Sequence, residues 1–315
     1  MNLNDVDKMK IYFDNVNFSS TSGPNSFGSR LAHELSLQGH IIADPDDYDV
    51  ALVFIEKTNR LNKNKPFVHR LDGIWFKPQE YGTKNVNIKS TYDLANAVIW
   101  QSDFDKEMVV RHWGNPRNGY VIRNGIKLEK VTTESAALLG LHDRYKKVFV
   151  CSANWHPQKR LKNNIDLFKH IRNNIEPYSC LIVLGNAPDH VVADMNIYYT
   201  GSVPHKTCLE IYSIADWMIH LAYLDHSPNT VVEALSQGCP VICSDDGGTK
   251  ELVKDNGFIL SEHKKYEFQL LDYDNPPSID VGQVTFLPNV TVDNSHLNIV
   301  EVAKQYVQVF NHVVV

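Results

Sequence analysis

The sequence predicts an α/β protein built from two Rossmann-like domains, and three observations carry that prediction. Short runs, apolar through their centres, recur along the chain with helix-periodic stretches between them, the pattern of a parallel sheet covered on both faces. The alternation runs once from Lys10 to Arg123, breaks over the charged, poorly patterned stretch 127–146, and restarts at Val148. The 315 residues suffice for two domains of ordinary size, and 43% hydrophobic content supplies their cores.

Each element follows from local pattern. Residues 10–13 read as the first strand, followed by the small polar loop 19–28 that holds Ser22-Gly23. The next helix carries Leu31, Ala32, Leu35 and Leu37 on its inner side and closes at Gly39-His40. Strands at 49–54 and 66–71, a helix over 89–95, a strand at 97–102, a helix over 103–112 and a strand at 119–123 complete this half. In the second half come a strand at 148–151, a helix over 161–171, strands at 180–184 and 197–199, a helix over 205–215 and a strand at 217–220. A last helix, near 297–312, is apolar at Ile299, Val302, Tyr306 and Phe310. The boundaries read as an N-terminal domain 1–130, a linker 131–146, a C-terminal domain 147–292 and a closing segment 293–315 that packs back on the first domain.

The stretch from Asp225 to Ile242 is the most informative. Ser227 is a good N-cap and Pro228 suits the first helical position, where no N–H is required. A short helix over 230–237 follows, Gly238 ends it, and 240–244 is a buried strand. The amides and positive dipole end from Ser227 through Pro228 and Asn229 to Thr230 form an anion site. Asp225 and Glu233 bracket that site, and each can accept from hydroxyls of whatever carries the anion. A diphosphate with a sugar on either side suits this order. Upstream, Lys159 and Arg160 precede a helix start, where cations oppose the dipole unless an anionic ligand joins them.

Composition removes other classes. A formal charge of −6 gives no basic footprint for nucleic acid. No apolar run approaches transmembrane length, and the polar start 1–7 lacks a signal-peptide core, so the expected location is cytoplasmic, with peripheral membrane contact allowed. The five cysteines lie in the second half without a CxxC pair and read as buried free thiols of a reducing compartment. Neither opening strand is followed by GxGxxG, which argues against a dinucleotide-dependent dehydrogenase. The patches Asp44-Pro-Asp46-Asp47 and Asp245-Asp246 read as solvated loops, so no metal site and no cofactor is expected. His69, His220 and His226 read as structural or rim residues, without metal-ligand spacing. Trp75, Phe76 and Trp113 read either as a sugar-stacking platform or as interior packing.

Taken together, these residues resemble the retaining glycosyltransferases of family 4, whose GT-B architecture sets two Rossmann-like domains facing each other across a cleft. The resemblance rests on Asp225 and Glu233, then Gly238-Cys-Pro-Val-Ile, then Gly247-Gly248-Thr-Lys-Glu251. Upstream, the loop from Ser152 through Asn154 to Lys159-Arg160 is similar to the one bearing the donor-diphosphate lysine. Residues 196–201 with Ala215-Asp216 match the stretch flanking the base pocket. More loosely, Ser22-Gly23, the strand ending in Asp72-Gly73, and Val121-Ile-Arg-Asn-Gly125 match the first half, so the likeness spans about residues 10 to 260.

The resemblance implies a metal-independent, retaining transfer of a sugar from a GDP- or UDP-linked donor to a glycan or other hydroxyl acceptor. It implies catalytic roles for Asp225, Asp72 and Lys159. Donor contacts are implied at Gly23, Asn154, Lys159, Arg160, Ser202, Val203, Ser227, Pro228, Asn229, Thr230 and Glu233. Three positions depart from the family pattern: Asp225 stands for glutamate, Asn154 for an arginine, and Asp72 for a histidine. Those departures leave as an alternative a degenerate protein that binds sugar nucleotide or glycan without transfer; a second alternative, a GT-B-type sugar-nucleotide epimerase, should carry further cleft carboxylates and histidines that the sequence does not show.

Overall fold

A computed structural model describes residues 8–20, 22–188 and 194–314. The polar start 1–7, on which the absence of a signal segment was expected, lies outside them. The chain divides into two compact units, one running up to Lys127 together with Leu297 onward, the other Leu128–His296.

The first unit holds β1 (Lys10–Asp14), α1 (Gly23–Leu37), β2 (Ile41–Ala43), β3 (Val50–Phe54), β4 (Phe67–Leu71), α2 (Pro78–Lys84), α3 (Val86–Leu94), β5 (Ala97–Trp100), α4 (Asp103–Trp113) and β6 (Gly119–Val121). Its strands form one parallel sheet in the order β2-β1-β3-β4-β5-β6. Every residue of β3, β4 and β5 is buried, which is why these strands read as continuous apolar runs. β2 and α2 are not among the elements expected from the sequence. β2 is a three-residue edge strand without a buried residue, and α2 buries nothing, so neither has an apolar period to detect. α4 starts where sequence places it because the Ser102 hydroxyl accepts from the Asp105 amide at 3.1 Å, an N-cap with acids in the first turn.

The second unit begins with α5 (Ala136–Leu139) and α6 (Leu141–Arg144), inside the stretch expected to be a linker. That stretch is fastened down: the Val131 amide donates to Gln237 at 2.9 Å, and the Thr133 and Ser213 hydroxyls meet at 2.8 Å. Then follow β7 (Lys147–Ser152), α7 (Leu161–Asn174), β8 (Ser179–Leu184), β9 (Ile197–Gly201), α8 (His205–Ile214), β10 (Trp217–His220), α9 (Asn229–Ser236), β11 (Val241–Ser244), α10 (Thr249–Val253) and β12 (Gly257–Leu260). The second sheet is also parallel, in the order β12-β11-β10-β7-β8-β9. Its core gathers Phe149, Leu167, Phe168, Leu181, Ile219 and Ile242, all without solvent exposure.

The chain ends in α11 (Ile299–Val314), which belongs to the first unit and lies against α1. Its buried stripe of Ile299, Val302, Tyr306 and Phe310 joins Phe27, Leu31 and Leu35 of α1 in one core. The five cysteines are free thiols, four of them buried. Among the described residues no helix is long and apolar enough to cross a membrane.

Candidate functional site

In the second sheet β7 and β10 lie side by side, yet the chain leaves them toward opposite edges. Such a switch point leaves a crevice beyond the carboxyl ends of the two strands, where ligands of open α/β sheets collect. The loop after β7 makes a single 3-10 turn over Pro157–Lys159 and then passes through Arg160 in the left-handed region (φ 52°). The loop after β10 bends likewise at Leu224 (φ 54°). Each bend costs a non-glycine residue roughly 1–2 kcal/mol and persists because the surroundings enforce it.

What enforces it is reciprocal bonding between the two loops. The Tyr223 amide donates to the Gln158 carbonyl at 2.9 Å, and the Gln158 side-chain amide donates to the Tyr223 carbonyl at 2.9 Å. That double bond sets Lys159 opposite Asp225, and the ammonium donates directly to the carboxylate. From below, Gly248 donates its amide to the Asp225 carbonyl at 2.7 Å. Neighbouring Gly247 has φ 104°, and a Cβ there would stand 2.9 Å from the same carbonyl oxygen, so only glycine allows this approach.

Asp225 is in an unusual electrostatic position. Burial alone would raise its pKa, but the Lys159 ammonium and, behind it, His220 outweigh burial and hold the carboxyl well below the usual range. His220 Nε2 lies 3.6 Å from the Asp225 carboxylate. Burial pushes the pKa of this imidazole down, with Lys159 acting in the same direction and Asp225 against it. A depressed carboxyl stabilises the fold fully above its unfolded value, near 4, and loses that stabilisation as pH falls toward the folded value. Stability of the wild type should therefore decline more steeply below about pH 4 than that of Asp225→Asn. Parallel acid limbs in chemical denaturation would remove this account of the pair.

The start of α9 corrects one sequence expectation. The helix begins at Asn229, and Pro228 (φ −70°, ψ 120°) holds the cap position, its carbonyl accepting from Val231 at 3.1 Å and Val232 at 3.3 Å. Ser227 is thus one residue too early to cap the helix. Its Oγ is buried and meets no hydrogen-bond partner among the described residues. A hydroxyl beside a helix N-terminus is able to donate to an anion. One turn into α9, Glu233 is 7% exposed, and His205 at the start of α8 approaches it with Nε2 3.1 Å from Oε1. Ser202 and Val203 lie just ahead of α8, with the Ser202 amide donating to Asn186 at 3.1 Å. Asn154 is exposed in the loop after β7. Asp225, Lys159, Ser227 and Glu233 therefore belong to loops and a helix start at one end of one sheet, as the spacing suggested.

Arg160 departs from its expected role in diphosphate binding. Its guanidinium is buried and forms a two-point pair with Glu262, 2.5 Å from Oε1 and 3.1 Å from Oε2. It also donates to the Pro277 carbonyl at 2.7 Å and lies over the Tyr223 ring at 4.7 Å. The left-handed backbone at Arg160 turns the side chain inward, away from the loop's polar surface. Of the loop's two adjacent cations, Arg160 is a buried clamp and Lys159 meets Asp225.

Gly23 and Asp72 belong to the first unit. Gly23 opens α1, with Ser22 at the cap position. Asp72 follows β4 and accepts from Arg70 and, at 2.6 Å, from Gln101. Arg70 is itself buried between the Phe27 and Phe54 rings, at 4.5 Å and 4.9 Å, and donates to Asn124 at 2.7 Å. Asp72 is thus engaged by two side chains of its own unit, Arg70 and Gln101. His69 is interior: its Nε2 lies 2.7 Å from the Ile55 carbonyl, and burial lowers its pKa to about 4. Of the aromatic trio, Phe76 is buried and Trp113 packs against Tyr92 at 5.3 Å, while Trp75 remains partly exposed under the Lys84 ammonium.

Two groups at the site escaped sequence reasoning. His220 ends an ordinary apolar strand, and His205 follows a proline at a helix start; neither sits in a motif, and only the fold brings them to carboxylates.

Residues 140–269 match the family model described as glycosyl transferases group 1. Among solved structures, Anabaena HepE in complex with UDP-glucose superposes with a TM-score of 0.66 at 15% identity, over 96% of this chain and 100% of that one. Sucrose-phosphate synthase from Thermosynechococcus elongatus gives 0.69 at 13% identity, over 97% and 99%. A glycosyltransferase from Rickettsia africae gives 0.63 at 12%, over 98% and 99%. These likenesses establish the GT-B fold, at a distance from the solved structures. No curated protein matches the chain by sequence.

Proposed function

We propose that this chain, which has the GT-B fold and matches the glycosyl transferases group 1 model over residues 140–269, moves a sugar with retention from a GDP- or UDP-linked donor to a hydroxyl of a glycan or other acceptor, without a metal. The observation that carries this reading is the Lys159–Asp225 pair at the switch point, beside the buried, unsatisfied Ser227 hydroxyl at the start of α9. A diphosphate fits there because it brings the negative charge that Lys159 and the helix N-terminus both favour.

The assigned roles follow from charge. Lys159 and the amides of Ser227, Asn229 and Thr230 stabilise the departing nucleoside diphosphate, taking the part that magnesium plays at other phosphate sites. Asp225 faces the transferred sugar and favours positive charge developing at its anomeric carbon. Glu233 accepts from the ribose hydroxyls, with Asn154, Ser202 and Val203 lining the nucleotide side. In a same-face displacement the leaving phosphate oxygen takes the acceptor proton, so a neutralised Asp72 is no obstacle.

One observation favours the binding-only alternative: Asp72 is tied to Arg70 and Gln101. Incubation with a panel of sugar nucleotides, without acceptor, separates the two. Slow donor hydrolysis supports the transferase, and binding without any turnover supports the binding protein. Thermal-shift screening with GDP, UDP and ADP should show stabilisation by one nucleotide that disappears in Glu233→Ala. Equal stabilisation of that variant would place the ribose elsewhere.

A further inference from the structure

His220 has no part in the chemistry above, yet it is the group whose position the site explains least well by packing. It is 4% exposed at the last position of β10, and its Nε2 is buried without a hydrogen-bond partner. The atom it faces, an Asp225 carboxylate oxygen, is 3.6 Å away, slightly beyond bonding distance, and that oxygen is already held by Lys159. A buried imidazole nitrogen left one short step from a carboxylate that another cation occupies is an arrangement in reserve.

We propose that His220 takes up a proton when a sugar nucleotide binds, replacing Lys159 as the partner of Asp225 while Lys159 turns to the diphosphate. The inference rests on the assignment of Lys159 to the diphosphate. Its logic is charge balance. In the empty site one ammonium neutralises one carboxylate. The diphosphate brings further negative charge and competes for that ammonium, leaving Asp225 desolvated beside a neutral imidazole. A buried carboxylate without a counter-charge is costly, and the nearest group able to become cationic is His220. The proton comes from solvent, the neutral imidazole becomes imidazolium, and its N–H then donates to Asp225.

The surroundings offer no competing acceptor of that proton. Cys243, the register partner of His220 on β11, has its thiol pushed up to about 12 by burial, and burial likewise raises Cys151 on β7. From α7 comes Asn164, an uncharged amide whose oxygen accepts from Leu221 at 3.1 Å. Arg160 reaches the Leu221 carbonyl at 3.4 Å but is paired with Glu262. On α9 the titratable group is Glu233, which has His205 beside it.

Calorimetric titration in buffers of different ionisation enthalpy reads the proton count directly. The probe is whichever of UDP-glucose, GDP-mannose and ADP-glucose binds, because their diphosphate diesters do not titrate near neutrality and add no proton of their own. The wild type should take up a substantial fraction of one proton per nucleotide near pH 7, and its affinity should weaken as pH rises through neutrality. Binding by His220→Asn should be weaker and independent of buffer. Since that variant may fold poorly, nitrogen NMR of the histidine-labelled wild type supplies a second readout: one imidazole should pass from neutral to cationic on adding the nucleotide. Binding without proton exchange, or exchange that survives in His220→Asn, overturns the inference and leaves the donor assignment standing. Failure of all three nucleotides to bind sinks the donor assignment, and this inference with it.

Discussion

Lys159→Ala should lower kcat/KM for the sugar nucleotide by about 100- to 1,000-fold, the loss seen when one preorganised donor to a developing oxyanion is removed. The effect should fall mainly on kcat, because charge on the leaving diphosphate grows as the glycosidic bond breaks. Lys159→Arg should recover little, since the ammonium is set by the 3-10 turn over Pro157–Lys159 to reach Asp225 and the longer planar fork does not fit that spacing. The double variant Lys159→Ala/Asp225→Asn should lose less than the sum of its singles, because each single change strips a partner from the other. Steady-state rates on the productive donor test this. A loss below about threefold in Lys159→Ala would remove the lysine from the chemistry and with it the reading of the loop.

The second large effect concerns stability. Glu262→Gln should destabilise the protein by about 3–5 kcal/mol, because it leaves the fully buried Arg160 guanidinium without its counter-charge. Arg160→Met should cost a similar amount for the converse reason, with the Glu262 carboxylate then held by the Ser244 hydroxyl at 2.6 Å. Combining Arg160→Met with Glu262→Leu should restore much of the loss, since an apolar pair needs no charge compensation. Denaturant unfolding of the four proteins measures this. If Glu262→Gln unfolds within about 1 kcal/mol of wild type, the clamp is solvated and Arg160 is available to ligands after all.

The sequence carried the fold far and the site less far, for reasons visible at individual residues. The fully buried strands β3, β4, β5, β8, β10 and β11 announce themselves because an unbroken apolar run has few other uses. β2 and α2 do not, since neither buries a residue. Asp225, Glu233, Lys159 and Ser227 could be singled out as candidates because they are close in the chain to a helix start, a proline and a glycine. Arg160 and Lys159 look alike as a basic pair, and only the left-handed turn between them and α7 sends one inward and the other to the loop's face. His220 meets Asp225 because of how β10 and its loop fold, and Asp72 meets Gln101 across two strands; neither encounter is encoded by spacing.

The pairing of Lys159 with Asp225 has a bearing on selectivity. A resting site whose cation is already matched presents little net field to small ions drifting past. Inorganic phosphate or sulfate would have to separate that couple and give the carboxylate nothing in return. A molecule that brings phosphoryl oxygens to the ammonium and sugar hydroxyls to the carboxylate at once satisfies both halves as it parts them. On the proposed assignment, this mutual neutralisation favours an intact donor over its fragments.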